Sequence, residues 1–167
     1  MIGKAIKYDE KNINTDLIIP ARYLVDSNPD HLAGHCMEDL DPDFIKRKEE
    51  LDAKFIVSDS NFGCGSSREQ APISIKAAGI QAVIAPSFAR IFYRNAINIG
   101  LPIIEFDQIA LINTGDKIEI DFDRGLLKNL TNDQEFEIKS MPDFIQDIIS
   151  VDGLINFARN QILKNVS

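Results

Sequence analysis

The chain has 167 residues, of which 44% are hydrophobic and 26% charged, a composition typical of one packed domain and not of a disordered or fibrous chain. Its 26 acidic and 18 basic side chains give a formal net charge of −8, so binding to nucleic acid or to an anionic membrane is not expected. The sequence contains neither an apolar run of about 18 residues nor a secretory signal at its start. We therefore expect a single domain over residues 1–167 with no membrane span.

The two cysteines limit both the location and the cofactor chemistry. Cys36 and Cys64 are too few to cross-link a small secreted domain, which predicts reduced thiols and a cytoplasmic protein. An iron–sulfur cluster needs three or four thiolates from one site, so this chain is not expected to bind such a cluster alone.

In chain order, a less regular stretch over residues 11–40 comes first, and a βαβ unit follows it. Residues 11–30 predict a short strand and loops, and residues 31–40 (HLAGHCMEDL) one amphipathic helix. Residues 53–58 (AKFIVS) predict a strand, which is followed by a glycine-rich loop, a helix to about Ala78 with Gly79 as its stop, and a second apolar strand over 81–86. A βαβ crossover favours a parallel, buried sheet with ligands beyond the carboxyl ends of its strands.

The second half of the chain predicts one more helix, then hairpins, then helix again. Ser87 is expected to cap a helix that ends at Gly100 and whose polar face carries Arg90 and Arg94. Either these arginines pair with acidic side chains of this chain, or they meet a carboxylate of a substrate or partner. Alternating residues over 117–140 predict antiparallel hairpins, and helix returns from about Pro142.

The loop Asn61-Phe62-Gly63-Cys64-Gly65-Ser66-Ser67-Arg68-Glu69 carries the strongest chemical signal. Pro72 fits only the first turn of a helix, so the helix should begin near Arg68 or Glu69, with Ser66 and Ser67 at its mouth. The backbone amides, hydroxyls and guanidinium of this loop suit an anion. Equally, the S-x-x-E and S-x-x-Q spacings match serines that merely cap the helix.

Two histidines offer a weaker alternative. His31 and His35 lie four residues apart, close to Cys36, Glu38 and Asp39, which is a spacing compatible with metal ligands. We expect instead a solvated helix face, because short motifs of this kind are common. We therefore predict no metal site in this chain.

Three segments together resemble a known family. NINTDLIIPARYL, SNFGCGSSREQAP and VIAPSFARIFYRNAINIGLP, which span residues 12–102 in order, are similar to the small subunits of 3-isopropylmalate dehydratases (isopropylmalate isomerases) in the aconitase superfamily. The resemblance implies an α/β fold, the swivelling β/β/α domain of the aconitase C-terminal region, with a mostly parallel core sheet and an added antiparallel hairpin region. It also implies a separate large subunit that carries a four-iron, four-sulfur cluster, and a small dicarboxylate substrate.

By the same resemblance, each motif residue has an expected role. Ser66 matches the family's catalytic base, Ser67 and Arg68 its contacts to the substrate carboxylate and alkoxide, and Asp16 the aspartate of its T-D motif. A serine base needs donors that stabilise the alkoxide, and Arg68 and the amides around Gly65 are candidates.

The segment Arg22-Tyr23-Leu24-Val25 is expected to bind the substrate's side group. Family members that act on homocitrate-type substrates carry an arginine after Tyr-Leu, whereas this chain has Val25, which can cover an isopropyl branch for about 2 kcal/mol. Asp26 and Gln70 depart from the family pattern. The sequence leaves three alternatives: an isopropylmalate dehydratase, a homoaconitase-type or methylmalate-type dehydratase, and a non-catalytic module that binds an anion.

Overall fold

Seven strands form one mixed sheet in the part of the chain that the structure describes. The structure, a computed structural model, describes the backbone of residues 1–166 and the side chains of residues 1–163; Ser167, the last residue of the predicted domain, lies outside. The strands are β1 (Ile2–Tyr8), β2 (Ala53–Ser58), β3 (Ala82–Ala85), β4 (Ile103–Glu105), β5 (Lys117–Asp121), β6 (Leu126–Asn129) and β7 (Gln134–Glu137). Their order is β4-β3-β2-β1-β5-β6-β7. The four strands from β4 to β1 are parallel, and β5, β6 and β7 continue the sheet antiparallel.

Helices cover the sheet and provide the connections between its parallel strands. They are α1 (Thr15–Ile18), α2 (Pro29–Gly34), α3 (Phe44–Leu51), α4 (Gln70–Ala77), α5 (Arg90–Asn98), α6 (Asp143–Ser150) and α7 (Leu154–Val166), with 3-10 turns at Ala21–Tyr23 and Ile109–Leu111. None of these helices within residues 1–166 is both long enough and apolar enough to cross a membrane.

The parallel strands are buried on both faces, as the apolar runs in the sequence predict. Ile56 and Val83 face a core built with α1, α2, α4 and α5, while Phe55 and Ile84 face a second core under the antiparallel strands. Burial on both faces explains why β2 and β3 read as continuous apolar runs without alternation. The predicted α/β class, with a parallel core and an antiparallel hairpin region, is confirmed.

The predictions for residues 11–50 need correction. Residues 11–30 form α1 and a 3-10 turn instead of a short strand, because the Asn14 side chain accepts hydrogen bonds from the Asp16 and Leu17 amides and starts a helix. The helix expected over residues 31–40 is α2, which ends at Gly34. The chain then turns at Met37, whose φ is 62°, and the Met37 amide bonds to the Ile18 carbonyl at 2.7 Å. The sequence did not predict β1, α3 or β4.

Candidate active site

Two loops meet at the edge of the sheet where the parallel strands end. One follows β1 and leads to α1, and the other follows β2 and leads to α4. The Gly63 amide donates to the Ile13 carbonyl and the Thr15 amide to the Cys64 carbonyl, both at 2.8 Å. The two loops are therefore paired through their backbones, as expected for a site beyond the carboxyl ends of parallel strands.

A third connection, between β3 and α5, braces the same loop. The Phe62 amide donates to the Ser87 carbonyl at 3.1 Å, and the Ala89 amide donates to the Phe62 carbonyl at 3.0 Å. The expected cap at Ser87 is wrong, because α5 begins at Arg90 and the Ser87 hydroxyl instead accepts from the Asn61 amide at 2.9 Å. The side chain thus holds the loop that precedes Ser66.

Ser66 stands on the exposed side of this loop. Thr15 donates its hydroxyl to the Ser66 carbonyl at 3.0 Å, which fixes the backbone at this point. The Ser66 side chain is exposed, and its hydroxyl has no hydrogen-bond partner among the described residues. Gly65, with a φ of 90°, and Ser67 are exposed beside it. Two hydroxyls and their flanking amides are therefore open to a ligand.

Arg68, two residues after Ser66, is largely buried. Its side chain is 13% exposed, and its Nη1 atom contacts Asp16 Oδ1 at 2.6 Å and the Ile19 carbonyl at 3.1 Å. Its other N–H groups have no partner within the described residues. Asp16 anchors the guanidinium, so the free edge can bind a carboxylate or an oxyanion with little loss of side-chain freedom.

The two serines do not cap α4. The helix begins at Gln70 with Glu69 as its N-cap, within two residues of the predicted start, and no side chain bonds to its first amides. The capping-box interpretation of Ser66 and Ser67 is therefore not realised in this structure, and their hydroxyls need another explanation.

The predicted specificity segment, Arg22 to Val25, follows shortly after a residue that contacts Arg68. Ile19, whose carbonyl accepts from Arg68, lies three residues before Arg22. Tyr23 and Leu24 are half-buried against the core, whereas Val25 is 91% exposed. A side chain so exposed cannot line a closed pocket within this chain alone.

The two histidines are not on a solvated face, and this expectation is wrong. Tyr23 stacks on His35 with ring centroids 3.6 Å apart, and His31 meets both rings edge-on, because the turn after α2 folds back onto the Tyr23 segment. His31 Nε2 is buried without a hydrogen-bond partner among the described residues. Among all the residues that the structure describes, no group of three His, Cys, Asp or Glu side chains is placed to hold a metal ion.

The cysteines differ in environment. Burial raises the pKa of the Cys36 thiol to about 12, so it remains protonated and unreactive at neutral pH. Cys64 lies in the loop before Ser66, where its thiol donates to the Asn12 carbonyl at 3.3 Å. Both thiols are free.

Arg90 and Arg94 are both exposed on α5. Neither forms an ion pair with any described residue, so the first alternative for them, pairing within this chain, is not observed. The loop before Arg90 is the one that braces Phe62, which places the start of α5 at the same edge of the sheet as Ser66.

Sequence reasoning missed three residues that build the site. Asn14 and Thr15 fix the loop of Asp16, and an asparagine just before a short helix is a recognised capping signal. Glu38 contacts Tyr23 across fifteen residues of chain. No local pattern could have shown this contact, since it depends on the turn at Met37.

Comparison with known proteins gives consistent matches. Residues 8–109 match the Aconitase C-terminal domain family. A 3-isopropylmalate dehydratase small subunit from Ruminiclostridium cellulolyticum is 58% identical over 161 residues, which cover 96% of this chain and 97% of the relative. A 2,3-dimethylmalate dehydratase small subunit from Eubacterium barkeri is 54% identical and covers 93% of this chain and 94% of the relative. A crystal structure of 3-isopropylmalate dehydratase (leuD) from Methanocaldococcus jannaschii matches with a TM-score of 0.91 and 42% identity, over 99% of this chain and 98% of that one.

Proposed function

Because this chain belongs to the Aconitase C-terminal domain family and, within it, to the 3-isopropylmalate dehydratase small subunits, we propose that it is the small subunit of a hydro-lyase of leucine biosynthesis. The reaction converts 2-isopropylmalate into 3-isopropylmalate through 2-isopropylmaleate, by loss and re-addition of water. The observation that carries this function is the exposed Ser66 hydroxyl, two residues before an anchored Arg68, in the loop at the carboxyl edge of the sheet.

Ser66 is proposed as the base that exchanges a proton with the substrate carbon. A serine alkoxide is stable near neutral pH only when donors stabilise its charge. Arg68 and the amides around Gly65 are the available donors. Ser67 and the free edge of Arg68 would bind the substrate carboxylate, while Asp16 holds the guanidinium in place.

A large subunit is needed to complete this site. The described residues of this chain do not fit an iron–sulfur cluster, since Cys36 is buried in the core and the ligand groups are not clustered. We therefore place the four-iron, four-sulfur cluster of the family in the large subunit, where its iron would act as a Lewis acid on the departing hydroxyl. The open loop around Ser66 would then face that subunit across the substrate.

We also propose a cytoplasmic location. Free thiols such as those of Cys36 and Cys64 are typical of reducing compartments. Oxidation at Cys64, beside the catalytic loop, would be least frequent there.

A second candidate keeps the chemistry and changes the substrate. The 54% identity to a 2,3-dimethylmalate dehydratase small subunit makes a methyl-substituted malate a possible substrate. The apolar Val25 side chain suits both the isopropyl branch of isopropylmalate and the methyl groups of a methyl-substituted malate. It offers no partner for the third carboxylate of a homocitrate-type substrate.

Reconstitution with the large subunit tests the function. We expect the mixed subunits to form 2-isopropylmaleate from 3-isopropylmalate, seen as an increase in absorbance, whereas this chain alone should be colourless and inactive. Faster turnover of 2,3-dimethylmalate than of isopropylmalate would favour the second candidate. A mixture that assembles and acts on neither substrate would contradict the proposal.

A further inference from the structure

The carboxylate of Glu38 joins three side chains. Its Oε1 atom accepts from the Tyr23 hydroxyl at 2.7 Å and from Arg22 Nη2 at 3.3 Å, and its Oε2 atom accepts from His35 Nδ1 at 2.6 Å. The Glu38 side chain is 33% exposed, so these contacts are partly shielded from water. Both oxygens are thus occupied by residues of the same chain.

Ring contacts strengthen the same arrangement. The Tyr23 ring stacks on His35 with an interplanar angle of 6°, and the Arg22 guanidinium lies 4.6 Å from the centroid of the Tyr23 ring. Arg22 also makes a bidentate contact with Asp39, at 2.9 and 2.6 Å. Together Arg22, Tyr23, His35, Glu38 and Asp39 form what we call the Glu38 cluster.

The segment held by this cluster has little backbone support of its own. Its 3-10 turn closes with the Tyr23 amide on the Pro20 carbonyl and the Leu24 amide on the Ala21 carbonyl, both inside the segment. The turn has no side-chain cap. Among the described residues, the polar side-chain contacts that tie the turn Ala21–Tyr23 to the rest of the protein are those of the Glu38 cluster.

The opposite end of the cluster is fixed to the body of the protein. Cys36 and Met37 are buried in the core, and the Met37 amide donates to the Ile18 carbonyl at 2.7 Å. Glu38 follows directly. It therefore connects a segment anchored in the core to the segment that leads to Val25.

The three donors also keep Glu38 charged. The hydrogen bond from His35 is the largest cause that holds the pKa of Glu38 below its ordinary value, and those from Tyr23 and Arg22 act in the same direction. At neutral pH the cluster therefore has a carboxylate at its centre, which makes its hydrogen bonds stronger than those between neutral groups.

We propose that Glu38 is a positioning residue for substrate specificity: by holding Arg22 and Tyr23, it fixes the direction in which Leu24 and Val25 meet the substrate's apolar branch. The inference rests on the proposed function, because it concerns the substrate of that site. In this arrangement Arg22 supports the pocket and does not bind the substrate, because both Nη atoms of its guanidinium already bond to carboxylates of this chain. Glu38 itself would touch neither the substrate nor the reacting atoms.

The test compares Glu38→Ala with the wild-type chain, each reconstituted with the large subunit. We expect KM for 3-isopropylmalate to rise roughly tenfold, with kcat within about twofold, because the lost contacts orient the pocket and not the base. The kcat/KM preference for isopropylmalate over a methyl-substituted malate should fall. Glu49→Ala, which removes an exposed glutamate of α3, is the matched control and should leave the wild-type values.

Tyr23→Phe provides a second, milder variant. It removes only the hydroxyl that binds Glu38 and keeps the ring stack, so a smaller shift of KM in the same direction is expected, even if Glu38→Ala does not fold. An unchanged preference in an assembled Glu38→Ala enzyme, or an equal loss of kcat on both substrates, would overturn the positioning role. If the wild-type pair turns over neither substrate, the proposed function fails instead.

Discussion

Val25 offers the simplest substitution that separates the candidate substrates. Its side chain is 91% exposed in this chain, so a change there should not disturb the fold. Val25→Arg would remove the proposed apolar cover of the isopropyl branch, which is worth about 2 kcal/mol, and should raise KM for isopropylmalate about 30-fold in the reconstituted enzyme. A substrate with a third carboxylate should gain affinity.

Val25→Leu is the control for this prediction. It keeps an apolar side chain at the same position, and steady-state kinetics should show KM within a few-fold of the wild-type value. If Val25→Arg leaves isopropylmalate turnover intact, residue 25 does not contact the substrate branch.

At the residue scale, the sequence indicates the residues of the proposed site better than the residues that support them. Ser66, Arg68 and Asp16 lie in contiguous motifs, and the structure places Arg68 against Asp16 as part of one surface. Thr15 and Glu38 act through contacts with residues 51 and 15 positions away. Such contacts depend on how loops pack, which neither propensity nor periodicity encodes.

Among the structural elements, α5 sets the shape of the loop that carries Ser66. Gly63 has a φ of 77°, and a Cβ atom built there would lie 2.5 Å from Phe92 Cβ, on a side chain buried in the core. Gly63→Ala should therefore cost about 2–4 kcal/mol, from overlap and from backbone strain, and lower Tm by about 5–15 °C. Thermal unfolding followed by circular dichroism would measure the shift.

Gly115→Ala is the control that separates the cost of backbone strain from the cost of steric overlap at Gly63. Gly115 has a φ of 91°, and its added Cβ would meet no other atom within 4 Å. Its Tm should fall by only a few degrees, from backbone strain of about 1–2 kcal/mol. Equal Tm values for the two variants would show that Phe92 does not crowd Gly63.

How well the sequence predicts a strand or helix depends on how that element is buried. β2 and β3 are buried on both faces, so their apolar runs predict them, and Gly79 and Gly100 mark the ends of α4 and α5 as expected. β1 carries the pattern IGKAIKY, in which lysines interrupt the apolar residues, and it was missed although it lies between β2 and β5. β4, with three residues, is too short for periodicity to detect.

For the whole molecule, we propose that the site is one half of an active centre. The Ser66 loop is open, Val25 is exposed, and Arg90 and Arg94 are unpaired within the described residues. These features suit a surface that a second subunit covers, in agreement with a catalytic site divided between two chains.

The central claim is that this chain supplies the base of the reaction through the Ser66 hydroxyl. Ser66→Ala, reconstituted with the large subunit, tests it most directly, because the exposed side chain can be truncated without changing the fold. We predict that kcat for isopropylmalate falls by about 10³-fold or more, while gel filtration shows the same complex as the wild type. A variant complex that retains near-normal kcat would contradict the assignment of Ser66 as the base.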